Sequence, residues 1–252
     1  PIGFQGKDVA IQIYTAFAPM VHIGALERTA TELNLELVAV AAEPFAVARA
    51  VLGTDESPNY TAILCDVGGG STDIAVVNDG GVEGTKCFGV AGRSFTKTIS
   101  GDLSIGYEAA EKLKLNIDGG KIKPNVLRTV NESIDNTLDV WISGVQLALS
   151  EFDAIDHLPN KFLLCGGGSS LGALVDRLET SNWYKDLPFS RRPIIKHVRP
   201  SDVSGIEDET GEITDHTLIT ALGLLRVGYD TMESVTGTKE TFRDKIDRVL
   251  RI

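Results

Sequence analysis

Two junctions in the sequence join an apolar, strand-like run to three consecutive glycines and then to hydroxyl residues. The first, at residues 64–77, reads LCDVGGGSTDIAVV, and the second, at residues 162–171, reads FLLCGGGSSL. Because glycine has no Cβ, successive backbone N–H groups in such a run can approach an anion and form a concave nest. Three glycines exceed what a turn needs, so the first junction predicts phosphate binding.

The carboxylates of the first junction add a metal ion to this prediction. Asp66 ends the strand-like run and Asp73 follows the glycines, while Ser71 and Thr72 between them offer hydroxyl donors. Bare phosphates would repel both carboxylates, so their presence favours a Mg²⁺ between carboxylate and phosphate, held partly through waters. The competing interpretation is a tight hairpin whose turn is stabilised by an aspartate.

The second junction is followed by a helical pattern instead of a hairpin. A helix N-terminus after glycines suits a phosphate, or a flat base that lies against the backbone. Close packing of a strand on a helix also selects glycine, so this junction alone leaves both interpretations open. Since ligands of α/β sheets gather at the carboxyl ends of the strands, we expect the two junctions to face one cleft.

Composition narrows the class of protein. The 252 residues include 24 Lys plus Arg against 35 Asp plus Glu, a formal net charge of −11, and residues 201–215 carry six acids and no base. This balance argues against a nucleic-acid binder, which would present a basic face. Three irregularly spaced cysteines fit neither a disulfide framework nor a zinc site, so Cys65 and Cys165 are predicted core residues of a reducing compartment.

Hydrophobic periodicity predicts alternating β and α elements and therefore an α/β fold with a mixed sheet. Strands are predicted at residues 9–14, 35–40, 60–65, 74–77, 84–90, 161–165 and 194–198, with Gly80-Gly81 as the turn after residue 77. Helices are predicted at residues 21–33, 45–52, 96–115 with a break near 101–106, 124–149, 171–178, 216–227 and 240–250.

At these motifs the sequence resembles the actin-like ATPase superfamily, and within it the FtsA/PilM branch. Residues 66–73 look like the second phosphate motif of the superfamily, and residues 163–171 look like its adenosine motif. Similarity to the FtsA/PilM branch continues in EPFAVARA (43–50), AGRSFTKTI (91–99), IGYEAAEKLK (105–114) and TALGLL (220–225). The resemblance implies an actin-like, ribonuclease H-like fold: a mixed sheet with flanking helices, plus part of a small α/β subdomain.

The resemblance also implies roles for single residues. Asp66 would act on Mg²⁺ and on the attacking water, and Glu43 would orient water or metal. Glu111 and Lys114 share a helix face and would flank the ribose and purine, the alternative being an exposed ion pair. The other expected nucleotide contacts are backbone or hydroxyl groups: Gly68, Gly69, Gly70, Ser71 and Thr72 at the phosphates, Gly92 beside them, and Gly166, Gly167, Gly168 and Ser169 under the adenosine.

A domain arrangement follows from the same resemblance. Residues 1–42 would end a small FtsA/PilM-type subdomain, 43–58 would form a connecting helix, 59–230 the second actin-like nucleotide-binding domain, and 231–252 a C-terminal amphipathic helix. The first phosphate motif of the family is not found in the sequence, which starts at Pro1 instead of Met. We therefore expect an N-terminally incomplete chain that does not hydrolyse ATP alone, whereas the full-length protein would be a Mg²⁺-dependent ATPase.

The implied function is a scaffold that binds ATP or ADP with Mg²⁺ and acts in cell division or type IV pilus assembly. Its partners would be division-ring or pilus-assembly proteins and further copies of itself in an oligomer or filament, in the cytoplasm at the inner face of the cell membrane. The C-terminal stretch 239–251, with an apolar stripe among basic residues, would lie on an anionic membrane or pack on protein. The alternatives are a non-hydrolysing interaction module of the same fold and a superfamily kinase.

Overall fold

The computed structural model of this chain describes residues 6–8, 15–52, 60–153 and 155–236. The chain divides into two units, Pro1–Leu37 and Val38–Ile252. The first unit contains one described helix, α1 (Met20–Glu32), which confirms the helix predicted at residues 21–33. The predicted strand at 9–14, the end of the connecting helix at 53–58 and the predicted helix at 240–250 lie outside the described residues.

A five-stranded mixed sheet with the order β3-β2-β1-β4-β5 forms the centre of the second unit. β1, β2 and β3 form an antiparallel meander, and β4 and β5 run parallel to β1, so the predicted mixed sheet is confirmed. The strands are β1 (Ala62–Val67), β2 (Thr72–Asn78), β3 (Gly81–Phe88), β4 (Lys161–Cys165) and β5 (Ile194–His197).

Helices cover both faces of this sheet. They are α2 (Glu43–Leu52), α3 (Gly92–Asp102), α4 (Tyr107–Leu115), α5 (Pro124–Ser150), α6 (Gly172–Thr180) and α7 (Ile219–Thr236), with 3₁₀ turns at Ile117–Gly119, Gly167–Ser170, Pro200–Asp202 and His216–Leu218. α5 begins with proline in the first turn, where the missing N–H costs nothing, and its buried positions follow the predicted helical spacing.

The alternation of side chains along β1 separates two cores. Ile63 and Cys65 point into a core with residues of α3, α5 and α6, whereas Leu64 points to the opposite face, where residues of α2 and α7 pack. Since side chains alternate with a period of two, Asp66 belongs to the α2 and α7 face. Cys65 and Cys165 are both fully buried and form no disulfide, which confirms their prediction as core residues.

Two local predictions are wrong. Residues 35–40 form no strand, because β-propensity yields a strand only where a neighbouring strand completes the ladder, and the described part of the chain offers these residues none. The hairpin turn is Asp79-Gly80, not Gly80-Gly81, since both central residues have positive φ, 47° and 78°, as a type I′ turn requires.

Candidate functional site

The two glycine junctions meet in the structure. The Gly92 N–H donates to the Gly68 carbonyl oxygen at 3.1 Å, and a Cβ added to Gly168 would lie 2.6 Å from that same oxygen. The contact arises because β1 and β4 are parallel neighbours, so that their carboxyl ends reach the same edge of the sheet. The prediction that both junctions face one cleft is confirmed.

A cavity of about 610 Å³ lies at this edge, within the range typical of small-molecule sites. The two junctions, α3, α4, the 3₁₀ turn after α4 and the start of α6 form its walls, which combine apolar side chains with four charged ones. Its lining residues are Gly68, Gly69, Gly92, Arg93, Phe95, Tyr107, Glu111, Lys114, Leu115, Ile117, Asp118, Gly167, Gly168, Ser170, Leu171 and Gly172.

The loop after β1 leaves two backbone donors exposed. The Gly68 N–H donates to the Ser71 carbonyl oxygen at 3.0 Å, which closes the loop. The carbonyl oxygens of Gly68 and Gly69 accept from the first residues of α3. Gly69 and Gly70 are exposed, and within the described ranges their N–H groups have no acceptor, so both donors are available to a ligand.

Three carboxylates gather behind this loop. Asp66 and Asp73 are direct cross-strand partners of β1 and β2, and Glu43 begins α2 on the same face of the sheet. Burial raises the pKa of Asp66, and the charge of Asp73 raises it further, while the hydrogen bond from Thr220 partly opposes both. Burial and the charges of Asp73 and Asp66 likewise raise the pKa of Glu43. Such mutual repulsion is relieved by a cation.

Thr220 was missed by sequence reasoning. Its hydroxyl, at the start of α7, donates a hydrogen bond to the Asp66 carboxylate and so fixes one oxygen of that group. Thr220 is the first residue of the TALGLL stretch. Nothing in the neighbouring sequence indicates that α7 packs beside β1, because the two elements are more than 150 residues apart.

Five predicted ligand residues do not line the cavity: Gly70, Ser71, Thr72, Gly166 and Ser169. Thr72 is fully buried, and its hydroxyl donates to the Val90 carbonyl oxygen (2.8 Å) and accepts from Trp141 Nε1 (2.9 Å). The strand alternation points Thr72 to the face opposite Asp73, which corrects its predicted phosphate contact. Ser169 is also fully buried and donates to the Gly166 carbonyl oxygen at 2.7 Å, where Gly166 adopts a φ of 80°.

Glu111 and Lys114 form a half-buried pair at the cavity wall. Lys114 Nζ lies 2.9 Å from the Glu111 carboxylate and donates to the Gly92 carbonyl oxygen and the Thr96 hydroxyl, both at 2.9 Å. Burial raises the pKa of Glu111, but the hydrogen bonds from Thr96 and Lys114 and the charge of Lys114 outweigh burial and lower it. The pair therefore ties α4 to α3, and the alternative of a freely solvated ion pair is wrong.

A stacked pair of histidines contacts the two serines of the second junction. The rings of His197 and His216 lie 3.8 Å apart, and their Nε2 atoms lie 3.0 Å from the Ser169 carbonyl oxygen and the Ser170 hydroxyl, respectively. Burial and the neighbouring His197 lower the pKa of His216, against the raising influence of Asp215. The two residues are far from the glycines in sequence, so local pattern gave no signal for them.

The donor set fits a magnesium ion that is shared with a phosphate ligand. No group of three or more His, Cys, Asp or Glu is arranged for metal binding in the part of the chain that is described. Mg²⁺ usually keeps several waters and takes only one or two carboxylates beside substrate phosphates, and the Asp66 and Asp73 pair matches that requirement.

Comparison with known proteins places the chain in a family. The family profile described as cell division protein FtsA matches residues 63–223, more than half of the chain. The chain belongs to the FtsA family. Cell division protein FtsA of Buchnera aphidicola (subspecies Acyrthosiphon pisum) is 24% identical over 95% of this chain and 60% of its own length. That of Pseudomonas aeruginosa is 25% identical over 71% of this chain and 47% of its own length.

Solved structures show that this FtsA-family chain has the actin-like fold. A PilM-PilN type IV pilus biogenesis complex superposes with a TM-score of 0.62 at 21% identity, covering 82% of this chain and 57% of the other. MreB5 of Spiroplasma citri bound to ADP superposes with a TM-score of 0.54 at 18% identity, covering 88% and 69%. The chain thus spans about half the length of the curated relatives it matches. Among its described residues no helix has the length and apolarity required to cross a membrane.

Proposed function

We propose that the cavity binds an adenine nucleotide together with Mg²⁺. The observation that carries the proposal is the contact between the two glycine junctions, Gly68 against Gly168, at one end of a 610 Å³ cavity. The free N–H groups of Gly69 and Gly70 would receive the phosphates, and the apolar wall around Tyr107 would take the base. MreB5, whose fold is similar, was solved bound to ADP.

Asp66 and Asp73 would hold the Mg²⁺, with Glu43 acting through water. The metal, when bound, would neutralise phosphate charge and polarise the phosphorus–oxygen bonds. Thr220 would keep Asp66 in one orientation. Asp66 would also position the attacking water in the full-length protein, where hydrolysis depends on positioning and charge neutralisation.

At the level of the whole protein, we propose an FtsA-type scaffold of cell division, with pilus assembly as the alternative setting. Its partners would be division-ring or pilus-assembly proteins and further copies of the chain, at the inner face of the cell membrane. The basic amphipathic stretch 239–251 would supply a membrane contact. Co-sedimentation with anionic liposomes tests that contact, and equal pelleting of the full chain and of a chain that ends at Thr236 would overturn it.

Equilibrium titration of the chain with Mg·ATP and Mg·ADP tests nucleotide binding. Gly167 lines the cavity and has open space around it, so Gly167→Leu should preserve the fold while it blocks the site. Gly101→Leu is the matched control, because Gly101 also has open space but lies on α3 away from the cavity. We expect Gly167→Leu to weaken binding more than about tenfold, near 1.4 kcal/mol, and Gly101→Leu to bind like the parent chain. A parent chain that binds neither nucleotide would support the interaction-module alternative instead.

A further inference from the structure

Arg93 holds an unusual position in the candidate site. It is the second residue of α3, and its backbone N–H donates to the Gly69 carbonyl oxygen at 2.8 Å. Its guanidinium lies over the glycine loop: a Cβ on Gly69 would be 3.2 Å from Arg93 Nε, and a Cβ on Gly70 would be 3.9 Å from its Cζ. The cation therefore covers the same two residues whose N–H groups are available to a ligand.

The charge of Arg93 has no counter-ion within the described ranges, although the chain carries a net charge of −11. Other arginines are matched by acids, such as Arg226 by Asp230 and Arg177 by Asp135. The other cationic residue of the cavity wall, Lys114, is occupied by Glu111 and by two oxygens of α3. Arg93 is thus the uncommitted cation of the described cavity wall.

A guanidinium beside two free N–H groups creates a strongly positive position without an anion. Guanidinium binds phosphate with two parallel hydrogen bonds, and such charge-assisted bonds are about twice as strong as neutral ones. We propose that Arg93 recognises the polyphosphate of the nucleotide and makes the site select di- and triphosphates over the nucleoside. This inference rests on the proposed nucleotide function and assigns to one side chain the recognition of ligand charge.

The test compares ligands that share adenosine and differ in charge. The full chain, Arg93→Ala and Arg93→Lys are titrated with ATP, ADP, AMP and adenosine, and with inorganic tripolyphosphate. Lys97→Ala is the control, because Lys97 is an exposed cation one turn further along the same helix and does not line the cavity. Since Arg93 is exposed, unchanged melting temperatures should accompany all variants.

We expect Arg93→Ala to weaken ATP and ADP binding at least about tenfold and to leave adenosine binding within about twofold of the parent chain. The ATP and ADP affinities of Arg93→Lys should lie between those of the parent chain and of Arg93→Ala. Lysine keeps the positive charge but loses the two parallel hydrogen bonds of the guanidinium. Equal nucleotide affinities of the parent chain, Arg93→Ala and Lys97→Ala would overturn the role of Arg93. They would leave the proposed function intact. Tripolyphosphate binding that depends on Arg93 and is as strong as ATP binding would instead overturn the nucleotide function and retain the anion role. A parent chain that binds neither nucleotide nor tripolyphosphate would overturn both the role of Arg93 and the nucleotide function.

Discussion

Asp66 and Asp73 lie directly opposite each other on two antiparallel strands, on the face of the sheet that also receives Glu43. Like charges in this arrangement oppose folding. Other parts of the structure, in particular the hydrogen bond from Thr220, hold the pair in place. A chain that keeps such a pair carries a local instability that a bound cation would remove.

The first prediction concerns the ionisation of Asp66 in the absence of Mg²⁺ and nucleotide. Because the folded-state pKa of Asp66 is raised above its ordinary value of 3.8, ionisation costs stability above that pH. Asp66→Asn should therefore be more stable than the parent chain at pH 7, and the difference should close as the pH falls below 3.8. Denaturant unfolding at several pH values measures this stability difference. Asp156→Asn, a substitution of an exposed aspartate, is the control.

The same substitution should remove Mg²⁺-dependent nucleotide binding and, in the full-length protein, ATP turnover. Asp66→Ala in the full-length protein should be equally inactive while it remains folded. A folded variant with unchanged Mg²⁺-dependent ATPase would show that Asp66 has no catalytic part, whereas lower stability of Asp66→Asn at pH 7 would contradict the electrostatic argument.

The second prediction concerns the contact between the glycine junctions. A Cβ on Gly168 would lie 2.6 Å from the Gly68 carbonyl oxygen and 2.7 Å from that of Val67, neither of which can rotate away. Gly168→Ala should therefore destabilise the fold by about 1–3 kcal/mol, as overpacking does. A Cβ on neighbouring Gly167 meets nothing within 4 Å, so Gly167→Ala should retain the melting temperature of the parent chain. Equal melting temperatures of the two variants would contradict the contact.

The third prediction concerns Lys114. Lys114→Met removes two hydrogen bonds to α3 and leaves Glu111 without its ion pair, so we expect a loss of about 1–3 kcal/mol. The lowered pKa of Glu111 means that the pair stabilises the fold above the ordinary pKa of 4.5 and loses this contribution as the pH falls below it. The difference in unfolding free energy between the parent chain and Lys114→Met should therefore shrink as the pH falls below 4.5. Lys112→Met, an exposed change on the same helix, should show neither effect.

The fourth prediction is a pH dependence at His216. Its pKa is lowered from 6.5, so the neutral ring stabilises the folded chain fully above pH 6.5 and the contribution is lost as the pH falls below that value. The parent chain should lose more stability between pH 7.5 and 5.5 than His216→Gln does. His157→Gln removes an exposed histidine and should behave like the parent chain. Parallel stability curves for His216→Gln and the parent chain would exclude this role.

Elements with long, regular patterns were predictable from the sequence. α5 was expected at residues 124–149 and occupies Pro124–Ser150, because proline fits the first turn and the apolar spacing of seven turns defines one buried face. The five strands of the sheet were also expected close to their observed places. The strand predicted at residues 35–40 is wrong, since β-forming residues make a strand only beside a partner.

The glycine runs and their neighbouring acids determined locally that two loops could approach an anion, because backbone freedom and the lack of a Cβ are properties of the chain itself. The direction of each hydroxyl and charge was decided by the tertiary structure. Strand alternation turned Thr72 into the core, the return of α7 brought Thr220 to Asp66, and the start of α3 laid Arg93 over the glycine loop. Such contacts join residues that are distant in sequence, and only the packing of the sheet against its helices brings them within hydrogen-bond distance.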